Sequence, residues 1–72
     1  MNAEVQLTDM EKLDHLLKHW REHNDEHATV FRTWAARAAA AGRGETARLL
    51  GLAAEAAGRV SELLDQAGAA LE

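Results

Sequence analysis

Apolar residues recur along the first half of the chain at steps of three and four. They run Met10, Leu13, Leu16, Leu17, Trp20, then Val30, Phe31, Trp34, Ala35, Ala38 and Ala41. Such steps keep side chains on one face of an α-helix. No breaker appears before Gly42-Arg43-Gly44, and Gly42 suits the left-handed position that follows a helix C-terminus. Upstream, Thr8-Asp9-Met10-Glu11 has the form of a capping box, with Thr8 as N-cap and Glu11 reaching back. These signals predict a flexible N-terminus over 1–7, a first helix over about 9–41 and a turn at 42–44.

The second half repeats the pattern. Thr46, Leu49, Ala53, Ala56, Val60, Leu63, Ala67 and Leu71 form a stripe, widened by Leu50, Ala57 and Leu64. A second helix is expected over about 45–70, with packing of the bundle or coiled-coil kind. Gly51 and Gly58 lie seven apart, off the stripe, and would permit close approach of another chain. The three aromatics, Trp20, Phe31 and Trp34, all fall on helix 1, and helix 2 offers alanines opposite them. Large against small packs well. A short turn makes the helices antiparallel neighbours. The residues expected in the core or at a dimer interface are Leu13, Leu16, Trp20, Val30, Phe31, Trp34, Leu49, Val60 and Leu63. Two helices alone leave one flank of each stripe wet. The fold class is therefore all-α, an antiparallel two-helix hairpin over 8–72 that forms a homodimer, a four-helix bundle of twofold symmetry.

Composition narrows the function classes. With 72 residues the chain is one small domain, and it has no cysteine. Small cores need a disulfide, a metal or a partner chain. Disulfides and thiolate sites are excluded, which leaves nitrogen and oxygen ligands, association, or both. The lack of cysteine fits a cytoplasmic location. A net charge of −4 argues against nucleic acid and anionic membrane as partners. No stretch is apolar for the roughly 20 residues of a membrane span. The order of a signal peptide is also missing at the N-terminus.

The candidate chemistry is histidine. All four histidines fall on helix 1, at His15, His19, His23 and His27. Each i+4 step advances about 40° round the helix, so the row drifts across the apolar stripe. His15 is expected on the solvent side, His19 at the boundary, His23 at the edge of the core and His27 near its centre. Between Trp20 and Val30 the apolar pattern lapses, and His23, Asn24 and His27 take the missing positions. Local breaks in a consistent pattern are expected at functional sites. Two histidines at i and i+4 can hold one transition metal ion, and imidazole suits zinc, copper and nickel. Glu26 lies three residues after His23, so His19, His23 and Glu26 make one candidate ligand set and His23 with His27 another. Helix 2 offers no ligand opposite them. Completion would come from the partner's helix 1, if a twofold axis passes near Asn24 to Glu26, and Asn24 would then fix an imidazole tautomer.

The plainer alternative is that these histidines pack, set register or sense pH in a structural or protein-interaction module. For a single histidine that alternative prevails; four at strict i+4 spacing bring metal binding level with it. Catalysis has little support. His23-Asn24-Asp25-Glu26-His27 matches the H-x-x-E-H string of inverted zinc peptidases, but the chain has no room for the further ligand and cleft. Glu-x-x-His, the di-iron bundle motif, does not occur. Arg32, Arg37, Arg43 and Arg48 cluster around the turn, where they solvate and pair with acids.

The segment from Leu13 to Ala35 has the core H-W-x-x-H-N-x-x-H, formed by His19, Trp20, His23, Asn24 and His27. It resembles a small uncharacterised helical domain found alone or as an extension of nickel-binding accessory proteins of the carbon monoxide dehydrogenase type. That resemblance implies binding of nickel or a similar metal by His19, His23 and His27, and a metal-accessory protein as partner. The resulting expectation is non-catalytic binding of nickel, zinc or copper by a histidine stripe.

Overall fold

The computed structural model describes the backbone of residues 2–71 and the side chains of residues 9–71. It is an antiparallel hairpin of two α-helices, α1 (Asn2–Ala40) and α2 (Gly44–Leu71). The hairpin measures 60 × 15 × 12 Å. Its length is set by α1, whose 39 residues at about 1.5 Å each span the whole long axis.

The turn is closed as expected at Gly42, which has φ +77°. Its N–H donates to the Ala39 carbonyl at 3.0 Å, and the Arg43 N–H donates to Ala38 at 2.8 Å. That pair of bonds is a Schellman motif, and it satisfies carbonyls the helix end would leave open. The Arg43 carbonyl accepts from Ala47 at 2.9 Å, so Arg43 occupies the N-cap position and α2 starts one residue before the expected Glu45. Charges complement both helix dipoles here, with Arg37 in the last turn of α1 and Glu45 in the first turn of α2.

The N-terminal boundary differs from expectation. Asn2 to Leu7 are helical and continue α1, and the backbone of Thr8 lies inside the helix. Nothing from Ala3 onward breaks a helix, so the capping-box string is overridden by good helix formers on its upstream side. Met1 and the Thr8 side chain lie outside the described residues.

The packed seam also differs. Among the described residues Leu17, Ala28, Ala54, Ala57 and Ser61 are buried, with Leu13, Asn24, Asp25, Phe31, Leu50 and Leu64 half-buried beside them. On α2 the seam runs Ala47, Leu50, Ala54, Ala57, Ser61, Leu64, Gly68, Leu71, a strict alternation of three and four. It lies one residue round from the stripe of large residues. Leu16, Trp20, Val30, Trp34, Leu49, Val60 and Leu63, expected in the core or at a dimer interface, are exposed on the single chain, Trp34 by 52% and Leu49 by 53%. Alanine lets two helices approach closely, so the small residues turn inward and the bulky ones are left at the flank. Gly51 and Gly58 lie half-buried at the seam's edge, and an added Cβ there would meet nothing within 4 Å.

A polar knot interrupts the seam at its middle. The Asn24 side-chain amide donates to the Ala57 carbonyl and, at 2.8 Å, to Ser61 Oγ. The Ser61 hydroxyl donates in turn to the Asp25 carboxylate. Among the described residues no buried side-chain polar atom lacks a partner. A satisfied buried network fixes one register, since any slip would orphan its members. The Arg21–Asp65 ion pair, at 2.8 Å, ties the helices in the same register on the polar side.

Candidate metal centre

α1 carries its histidines on the flank beside the seam. His23 and His27 stand one turn apart, and their Nε2 atoms approach to 3.0 Å. The rings meet edge to face, with centroids 4.5 Å apart. His27 also stacks on Phe31 at 6.0 Å, which holds the ring from the turn-proximal side. His19 stacks against His23 at 6.2 Å with nearly parallel planes. Glu26 Oε2 lies 3.8 Å from His23 Nδ1, on the ring edge away from His27.

The geometry therefore brings together one pair of nitrogens and leaves the other candidates around it. Among the described residues no group of three histidine, aspartate or glutamate side chains converges in the way a metal ion needs. His15 is exposed. His23 and His27, expected at the edge and centre of the core, are exposed as well, because the seam runs one residue away from the stripe they share. Asn24, expected to orient an imidazole, spends its amide across the helix interface on Ala57 and Ser61. Sequence reasoning missed Ser61 as a partner of Asn24, and Asp25 as the acceptor from Ser61. The signal available was the polar pair Asn24-Asp25 level with a lone serine in an alanine-rich helix.

The surroundings of the pair are apolar. Trp20, Asn24, Val60 and Leu64 line the same shallow hollow as His23 and His27. The opposite side of the hairpin is charged: Asp14, Lys18, Arg21, Glu22 and Asp65 border a groove over Leu17 and Leu64. The hairpin thus has an apolar broad face with two histidines at its middle and a polar broad face behind. The two imidazoles can satisfy each other, one Nε2–H donating to the other ring nitrogen. With both nitrogens deprotonated they present two lone pairs to a single ion.

Among the described residues no helix is long and apolar enough to cross a membrane. No curated protein and no solved structure is significantly similar to the chain. Residues 13–71 match the family described as a domain of unknown function, DUF8180, and the chain belongs to that family.

Proposed function

We propose that this DUF8180 member is a non-catalytic binder of a first-row transition metal, nickel, zinc or copper, and that it works as a dimeric four-helix bundle. The observation that carries the reading is the 3.0 Å approach of His23 Nε2 to His27 Nε2 on an exposed apolar face. Metal–imidazole bonds are about 2.0–2.1 Å long, so an ion between two nitrogens at that separation subtends roughly a right angle. That is the angle of neighbouring positions in the square-planar and tetragonal geometries of nickel and copper. A small opening of the pair suits tetrahedral zinc. The resemblance of the H-W-x-x-H-N-x-x-H core to nickel-accessory domains adds weight to nickel.

Two ligands hold an ion weakly. A second copy on the same face supplies another His23 and His27 and makes four nitrogens, with His19 and Glu26 at the margin. The exposed Trp20, Val60 and Leu63 favour that copy, because contiguous apolar surface of this kind marks an interaction site. The bundle is a store or carrier of metal, or an assembly stabilised by it, and a metal-accessory protein is its expected client.

A second reading is favoured by the same apolar face. On it the hairpin is a structural or protein-interaction module, and its histidines only pack, set register or sense pH. Chelator separates the two, since an interaction module dimerises equally well without metal.

The test is a thermal melt of chelator-stripped protein with nickel, zinc or copper at stoichiometric and tenfold levels. A ligand specific for the folded state raises the midpoint. The expected result is a clear rise with at least one ion, lost in the His23→Ala/His27→Ala variant and weakened on acidification, because imidazole must be deprotonated to bind. No rise with any of the three ions leaves the interaction module as the surviving reading.

A further inference from the structure

The orientation of the second copy is written in the exposed stripes and in the placement of charge. The stripe on α1 is Leu16, Trp20, His23, His27, Val30, Trp34, with steps of 4-3-4-3-4 that read the same in both directions about residue 25. The stripe on α2 is Leu49, Ala53, Ala56, Val60, Leu63, Ala67, with the same steps about residue 58. The two centres lie at the same height in the hairpin, since Asn24 bonds to Ala57 and Ser61 and Asp25 bonds to Ser61. Both stripes belong to one broad face, because Trp20, His23, His27 and Val60 line one hollow. One twofold axis perpendicular to the helices therefore passes through both centres.

We infer that a second copy covers this face tip over tail, α1 on α1 and α2 on α2, about that axis. The arrangement deepens the metal-binding reading and rests on its dimer. On α1, Trp20 falls on Val30 of the second copy, Leu16 on its Trp34 and His23 on its His27, so both histidine pairs meet at the axis. On α2, Leu49 falls on Ala67, Leu63 on Ala53 and Val60 on Ala56. Every large residue of that stripe meets an alanine, which is the complementarity an interdigitated layer needs.

Charge selects this orientation over the alternative with both turns at one end. Residues 26–57, between the axis and the turn, carry Arg32, Arg37, Arg43 and Arg48 against Glu26, Glu45 and Glu55, a net +1. Residues 9–24 and 59–71, the open half, carry six acids and four bases, a net −2. Tip over tail lays the basic end of each copy on the acidic end of the other. Turns together would stack like on like, and would set each histidine pair against α2 of the other copy.

The chain has no cysteine, so Arg43→Cys in the exposed turn accepts a single spin label. Residue 43 lies about 17 helical residues from the axis, so tip over tail places the two labels about 50 Å apart, at 1.5 Å per residue. Pulsed dipolar spectroscopy on the dimer, with the mass of the same sample fixed by analytical ultracentrifugation, reads that distance. A distribution near 50 Å is the expected result. A dimer with labels within about 20 Å overturns the orientation, whether through turns together or an opened, exchanged hairpin, and leaves the metal-binding dimer standing. A monomer overturns both.

Discussion

At the scale of single residues, two kinds of side chain do different work within one turn of α1. Asn24 and Asp25 point into the seam and bind α2, and His23 and His27 stand on the flank and bind each other. Ser61, only 7% exposed, is the hub of the first pair. Ser61→Ala removes one of the two acceptors of Asn24 and the donor to half-buried Asp25, and losing hydrogen bonds of this kind costs about 1 kcal/mol. A urea titration should show that loss, and an unchanged midpoint would mean the knot contributes nothing. The sequence marked this stretch as a break in the pattern and named His23, Asn24 and His27 as its occupants. It turned His23 and His27 toward the core, where the structure leaves them exposed, because at a helical break the difference between facing the seam and flanking it is one residue, about 100°.

At the scale of elements, helix composition and one glycine decide most of the outcome. Alanine, leucine, glutamate and arginine carry both helices, and Gly42 closes the first of them at φ +77°. An L-residue with a side chain pays about 1–2 kcal/mol for that left-handed backbone. Gly42→Ala has open space for its Cβ, so its destabilisation in denaturant should be this conformational term alone. A neutral result would show that the turn relaxes freely to another conformation. Helix number, the turn and the Schellman glycine were legible because they depend on local stereochemistry. A capping box states where a helix can begin, and Ala3 to Leu7 offer no reason for it to begin there, so α1 reaches back to Asn2.

At the scale of the molecule, the hairpin's own core is thin. Among the described residues one leucine, three alanines and a serine are buried, too little apolar area for a small domain to stand on comfortably. The large side chains lie on the broad face instead. The stripes of three and four steps were read correctly as apolar faces, but a stripe does not say whether it meets the neighbouring helix or another chain. Here the small residues take the inner contact and the bulky ones remain outside, with two histidines midway along them. The candidate site was legible to the same degree: the residues were named, and their exposure followed from a seam that the sequence alone had placed one residue away. The central claim is a metal ion shared between two copies at His23 and His27. Native mass spectrometry of protein reconstituted with nickel, copper or zinc reads it directly. The account predicts a dimer carrying one ion per two chains, and an ion-free species for His23→Ala/His27→Ala. An ion held by a single chain, or no ion retained from any of the three metals, would contradict it.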